Sequence, residues 1–221
     1  MFTAKKLIIA DDHPLFRDAL KHGIASALGK PEIIVCGSFS ELQKTINHHD
    51  DSDLILLDLH MPGAVGFSAL HFLGLRCPDI PVTIVSANED PEVVARAVDQ
   101  GASGFIPKSA DIAVIVEAIK QILEGQRWLP SDVRQRVSEI RLRSADIADK
   151  LATLTPSQFR VLMMLVDGRK NKEIADEICV TEATIKAHLT EIFKKLDVSN
   201  RTQAAMLAAN YLEVDNPNTL S

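Results

Sequence analysis

Three cysteines, Cys36, Cys77 and Cys179, are too few and too scattered for a disulfide framework, and no CxxC pair exists to hold zinc. All three are expected as small buried hydrophobes. No apolar run approaches the roughly 18 residues that a membrane span needs, so no membrane partner is expected. The start, Met1 to Lys6, lacks the charged segment, apolar core and small-residue cleavage site of a secretion signal, which predicts a cytoplasmic address. Internal repeats and low-complexity tracts are missing too. So is any excess of positive charge: the formal net charge is -6.

What is there fits two compact domains, since 221 residues exceed one small core. Residues 1–125 carry 10 Lys+Arg against 17 Asp+Glu, residues 126–150 carry 6 against 4, and residues 151–221 carry 8 against 9. The acidity therefore lies in the first half. Any nucleic-acid contact made by the near-neutral last third must concentrate its positive charge on one face.

The first half alternates short apolar runs with amphipathic stretches. The runs are Lys6–Ala10, Glu32–Cys36, Asp53–Leu57, Val82–Ser86 and Gly104–Ile106; continuous apolarity over so few residues suits strands buried on both faces of a parallel sheet. Between them, Pro91 to Gln100 and Asp111 to Glu124 have helical period, and in the second Ile112, Ile115, Val116, Ile119, Ile122 and Leu123 share one face. Five βα units predict an α/β doubly wound parallel five-stranded sheet, whose site should lie at the carboxyl ends of the strands. A charged segment, Ser131 to Lys150, follows, rich in Arg and without a core-sized apolar stripe, and reads as a partly helical linker. Beyond it the pattern is all helical, over Pro156 to Asp167, Asn171 to Ile178, Glu182 to Leu196 and Thr202 to Leu212, with a frayed tail from Asp215 to Ser221.

Three carboxylates stand at predicted strand ends, Asp11 and Asp12 after the first and Asp58 after the third. Like charges brought together there need a cation, and a hard divalent ion with oxygen ligands, Mg2+, answers that need. Lys108 follows the fifth strand and Ser86 ends the fourth, so an ammonium and a hydroxyl reach the same mouth. This set suits phosphoryl transfer: a carboxylate nucleophile, with metal and lysine neutralising charge on the transferring group. Alone, an Asp pair at a strand end is more often a helix cap, and a lone lysine a solvated one; only their combination points to phosphoryl transfer. His13, His60 and the His48-His49 pair find no ligand partners in sequence and are given no side-chain metal role.

These residues lie in Asp11-Asp12-His13-Pro14, Asp58-Leu-His-Met-Pro-Gly63, Ser86-Ala87 and Phe105-Ile-Pro-Lys108, and over residues 6 to 124 the chain resembles response-regulator receiver domains. The resemblance implies a flavodoxin-like receiver. In it Asp58 is the phosphoacceptor, Asp11, Asp12 and Asp58 hold Mg2+ with the backbone carbonyl of His60, Ser86 and Lys108 contact the phosphoryl group, and Phe105 is an aromatic switch. One departure is Ser109, where many receivers place Pro directly after the lysine. Two rivals fail at named positions. A flavodoxin-like FMN binder needs a Ser/Thr/Gly-rich loop where this chain has Asp-Asp-His-Pro, and a phosphatase of the haloacid dehalogenase type needs a carboxylate where His60 stands.

In Glu182 to Leu196, Ile185, Leu189, Ile192 and Leu196 form one narrow stripe that must face a core, while Ala183, Lys186, Ala187, Thr190 and Lys194 lie opposite. Thr181 is placed to cap this helix. The preceding short helix turns Ile174, Ala175 and Ile178 inward, and the turn Cys179-Val180-Thr181 is as short as a helix-turn-helix demands. The second helix of such a pair enters the major groove. Leu154-Thr-Pro-Ser-Gln158, Asn171-Lys-Glu-Ile-Ala175, Thr184-Ile-Lys-Ala-His188 and Lys195-Leu-Asp-Val-Ser-Asn-Arg-Thr202 resemble the LuxR-type helix-turn-helix over residues 152 to 213. A receiver followed by this all-α four-helix module is similar to the NarL/FixJ family.

That resemblance implies DNA contacts from Lys172, Thr184, Lys186, Ala187 and Arg201, with Thr190 and Lys194 on the same exposed arc. Family members often carry Lys or Arg where Thr190 stands, and His188 is expected to be structural or phosphate-facing. The organisation expected is a receiver at 1–125, a partly helical linker at 126–151, the DNA-binding domain at 152–213 and a tail at 214–221. The implied partners are a sensor histidine kinase, duplex DNA with an inverted-repeat operator, and a second copy of the chain. The chain is not expected to be a metabolic enzyme, although its receiver would assist its own phosphorylation and hydrolysis. A competing expectation is that it works chiefly through protein contacts, its near-neutral DNA module being weak.

Overall fold

The computed structural model describes residues 5–214, so the tail expected at Asp215 to Ser221 lies outside the described residues. Contacts divide the chain between Ile140 and Arg141 into two compact units.

The first unit holds a five-stranded, all-parallel sheet of β1 (Lys6–Ala10), β2 (Glu32–Cys36), β3 (Leu54–Leu57), β4 (Val82–Ser86) and β5 (Gly104–Pro107), in the order β2-β1-β3-β4-β5. The helices α1 (Pro14–Ala27), α2 (Phe39–Ile46), α3 (Ser68–Arg76), α4 (Pro91–Asp99) and α5 (Ile112–Leu123) alternate with the strands. Side chains alternate across each strand, and the core splits accordingly. Ile8, Ile55, Leu57, Ile84 and Phe105 pack with Leu42, Leu70 and Val94 from α2, α3 and α4. Leu7, Ile9, Leu54, Leu56 and Ile106 pack with Leu20, Ile24, Ile115 and Ile119 from α1 and α5. Both faces are covered, which is why the strands read as unbroken apolar runs.

Of the face expected on α5, Ile112 departs: it is 42% exposed, at the first turn of the helix. Its side chain instead sits over Gly23 of α1, where a Cβ would come within 2.4 Å of it. Past α5, the Trp128 carbonyl accepts from the Phe105 N–H at 3.0 Å, which satisfies a donor on the outer edge of β5.

The charged segment is not a partial helix but one continuous helix, α6 (Ser131–Ala152). Val133, Val137 and Ile140 pack on the first unit's core, while Ile147 and Leu151 pack in the second unit. The first is an i, i+4, i+7 set and the second an i, i+4 pair, each serving a different core, so no single long stripe shows in the sequence.

The second unit continues with α7 (Pro156–Val166), α8 (Asn171–Glu177), α9 (Glu182–Leu196) and α10 (Arg201–Val214). A capping box starts α7: the Thr155 hydroxyl accepts from the Gln158 N–H, and the Gln158 side chain accepts from the Thr155 N–H at 3.0 Å. Lys195 Nζ donates to the same Gln158 oxygen and to the Thr153 carbonyl, each at 2.8 Å, which ties α9 to the start of α7. Ile185, Leu189, Ile192 and Leu196 are buried against Val161, Leu165, Ile174 and Ala204. Cys36 and Cys77 are buried as expected, but Cys179 is exposed. The turn is the reason: Cys179 takes the left-handed conformation, φ 56°, that ends α8, and that backbone carries its side chain into solvent.

Candidate functional site

The sheet register builds the first site. Ala10 pairs with Leu57, so the next residues on each strand, Asp11 and Asp58, emerge side by side where the chain crosses from β2 on one side of β1 to β3 on the other. The Asp58 N–H donates to the Ala10 carbonyl at 2.8 Å, fixing that alignment. Ser86 pairs with Pro107, and the Lys108 N–H donates to the Ser86 carbonyl at 2.8 Å, which starts the lysine at the same end.

Lys108 Nζ lies 2.6 Å from Asp58 Oδ2 and 2.7 Å from Asp11 Oδ2. Burial alone would lower this ammonium's pKa, but the short contacts to the Asp11 and Asp58 carboxylates outweigh it and hold the group above its usual value of 10.5. The Phe16 ring, 5.2 Å away, adds an aromatic face to the same cation. Asp58 Oδ1 accepts from the His60 N–H at 3.1 Å, so the described contact of His60 is made by its N–H. Arg17 donates to the Asp11 carbonyl at 2.7 Å and steadies the turn into α1.

Asp11, Asp12, His13 and Asp58 offer ligand atoms that all lie within 4.8 Å of one another. Asp11 Oδ2 is shut from water and ion-paired with Lys108, and Asp12 Oδ1 is shut from water as well. Three carboxylates against one ammonium, with oxygens shut from water, suit a hard divalent cation. Sequence reasoning brought Asp11, Asp12, Asp58 and Lys108 together correctly, and it missed His13. Its Nδ1 lies 2.7 Å from Asp12 Oδ1, 3.2 Å from Asp11 Oδ1 and 4.0 Å from Asp58 Oδ2. The signal available in the sequence was adjacency: His13 stands two residues after Asp11, at the turn into α1.

Ser86 and Phe105 are fully buried. The Ser86 hydroxyl accepts from the Asn88 N–H at 3.1 Å, and the Phe105 ring belongs to the apolar cluster under α2, α3 and α4.

On the second unit, Thr181 caps α9 by accepting from the Thr184 N–H at 3.2 Å. Thr184, Lys186, Ala187, Thr190 and Lys194 are exposed on α9, as is Lys172 on α8, while His188 is half-buried. The Thr190 hydroxyl donates back to the Lys186 carbonyl at 3.0 Å. Arg201 differs from the rest, because its guanidinium donates to Asn171 Oδ1 at 3.1 Å and to the Arg169 carbonyl, pinning the starts of α8 and α10 together.

Residues 7–120 match the model of the response regulator receiver domain, and residues 152–208 match that of the bacterial regulatory proteins of the luxR family. The glycerol metabolism activator of Pseudomonas putida is 41% identical over 210 residues, covering 93% of this chain and 95% of that protein. The nitrate/nitrite response regulator protein NarL of Escherichia coli is 30% identical, covering 90% and 93%. Among solved structures, the RcsB response regulator of Salmonella typhimurium superposes with a TM-score of 0.60 at 21% identity, covering 96% of this chain and 99% of that one. A two-component response regulator of the LuxR family from Aurantimonas sp. gives 0.58 at 27% identity, covering 64% and 99%. No helix among the described residues is long and apolar enough to cross a membrane.

Proposed function

The chain belongs to the response regulators that join a receiver domain to a LuxR-type helix-turn-helix, a DNA-binding family, and on that premise we propose that phosphorylation of Asp58 controls its binding to duplex DNA. The receiver is assigned to residues 1–125, the linker to 126–151 and the DNA-binding domain to 152–213. The observation that carries the proposal is the Lys108 ammonium, 2.6 Å from Asp58 and 2.7 Å from Asp11 beside a third carboxylate, on a chain that also bears an exposed, capped second helix.

In this reading a sensor histidine kinase supplies the phosphoryl group. An Asp58 oxygen attacks phosphorus as the bond to the donor nitrogen breaks, and the leaving imidazole takes up a proton. Mg2+ bound by Asp11, Asp12, Asp58 and the His60 carbonyl would screen the charge between carboxylate and phosphoryl group. Lys108 is already in place for the same task. Ser86 would turn its hydroxyl from the Asn88 N–H to the new oxygens. Phe105 would repack with it, reshaping the surface of α4, β5 and α5 and favouring a dimer. The protein acts in the cytoplasm, where it meets DNA, and performs no turnover beyond its own phosphorylation and dephosphorylation.

On the DNA side, Lys172, Thr184, Lys186, Ala187, Thr190, Lys194 and Arg201 are assigned to the interface, and a dimer would read an inverted repeat. RcsB has been solved as a complex with DNA and as dimers on DNA, and at 22% and 21% identity these share the fold.

The test uses the full chain with a radiolabelled phosphodonor and Mg2+, followed by a mobility-shift assay. Wild type should take up label and bind an operator fragment more tightly once labelled, and Asp58→Asn should do neither. Retained labelling in Asp58→Asn would overturn the assignment of the acceptor. Equal DNA affinity with and without label would overturn the control of binding.

A further inference from the structure

We propose that His13 is an imidazole ligand that gives the acidic pocket a preference for first-row transition ions, such as Co2+ or Zn2+, over Mg2+. The inference rests on the pocket being a divalent-cation site and adds the identity of the ion it selects.

The ring is not used by its own helix. His13 stands at the N-cap of α1, a place favouring Ser, Thr, Asp or Asn because their oxygens accept from the first turn, yet its side chain makes no capping hydrogen bond. Its backbone N–H donates instead to Asp11 Oδ1 at 2.8 Å, which holds residue 13 at the rim of the pocket. Nδ1 then faces Asp12 Oδ1 at 2.7 Å, Asp11 Oδ1 at 3.2 Å, Asp58 Oδ2 at 4.0 Å and Lys108 Nζ at 3.4 Å.

Two donors on one small divalent ion can be no farther apart than twice the metal–donor length, about 4.2 Å. All three carboxylate distances from Nδ1 fall within that limit. Three carboxylates converge around one ammonium, so the pocket keeps an excess of negative charge whether or not the ring is counted. An all-oxygen pocket suits Mg2+, whereas one borderline nitrogen donor raises affinity for Co2+ and Zn2+ far more than for Mg2+, which binds imidazole poorly. The side chain is 64% exposed, so it can close on an ion without repacking the core.

The experiment is calorimetric titration of the unphosphorylated full chain with Co2+ and, separately, Mg2+, at one fixed pH for all variants. Wild type, His13→Ala, His13→Asn (which supplies a capping oxygen) and His22→Ala as an unrelated histidine are compared, and visible Co2+ spectra are recorded for each. The expected result is a loss of about tenfold or more in Co2+ affinity for both His13 variants. Their Mg2+ affinity should stay within twofold, their Co2+ bands should shift, and His22→Ala should match wild type. Equal losses for both ions, or no loss for either, with wild type still binding Mg2+, would overturn the role of His13 alone. Failure of wild type to bind either ion would overturn the divalent-cation reading of the pocket, and this inference with it.

Discussion

The Lys108 ammonium stands 2.6 Å from Asp58 Oδ2 although 50 residues separate the two, and the same nitrogen reaches Asp11 Oδ2 at 2.7 Å. One cation thus ties the end of β5 to the ends of β1 and β3, with 14% of its side chain exposed and the carboxylates almost wholly buried. Taking away one partner of a buried charge cluster leaves the others uncompensated.

Lys108→Met is therefore expected to lower stability by about 2–4 kcal/mol in magnesium-free buffer. Added Mg2+ should recover more stability in the variant than in wild type, because the ion can neutralise the stranded carboxylates. Urea unfolding with and without Mg2+ reads both numbers; a variant as stable as wild type in magnesium-free buffer would remove the bridge from the account of the fold.

The raised Lys108 pKa sets a direction with pH. Native protein holds this proton above the value of 10.5 at which the unfolded chain releases it, so the bridge contributes fully below that pH. As pH climbs through the folded value the contribution is lost. The stability gap between wild type and Lys108→Met should accordingly narrow in strong alkali, and a gap that widened would show the sign to be wrong.

Thiol reagents should distinguish the cysteines. Native chain is expected to react rapidly at Cys179 alone, and Cys36 and Cys77 only on unfolding, since both are buried and burial pushes their thiols above the usual 9.0. Cys179→Gly should stabilise the second unit by about 0.5–1 kcal/mol, because glycine adopts the left-handed conformation at φ 56° without a Cβ penalty. Mass mapping of the labelled thiol and thermal melting check the two halves.

Lys186 and Arg201 are predicted to weaken DNA binding by different routes. Lys186 is exposed, so Lys186→Ala should leave stability within about 0.5 kcal/mol of wild type while reducing the salt dependence of binding by about one unit. Arg201→Ala removes the hydrogen bonds to Asn171 and the Arg169 carbonyl and should lower the melting temperature as well. Melting curves beside salt-dependent mobility shifts separate a groove contact from a residue that shapes the unit.

Much of the pocket was legible because its residues sit at the ends of apolar runs. A strand buried on both faces announces itself by composition, so Asp11, Asp12, Asp58 and Lys108 could be placed at one edge once β1 and β3 were taken as neighbours. Ile185, Leu189, Ile192 and Leu196 were legible for the matching helical reason, each falling on one stripe that is now found buried. Residues whose role is set by a partner remote in the chain were not readable this way. Arg201 was read only as a DNA contact because nothing near it in sequence suggests Asn171, and Cys179 was read as buried because the left-handed turn that exposes it is a backbone property.

The sequence by itself determined the five strands, the four helices of the last third and the kinds of side chain at each strand end, since period and apolarity are local consequences of burial. Only the tertiary structure decided that His13 turns into the acidic pocket, that Ser86 is held by Asn88, and that α6 runs unbroken while its halves serve separate cores. Those choices depend on which charges and surfaces meet once the chain has closed, and electrostatic and packing energies fall off over a few ångströms in space regardless of distance along the chain.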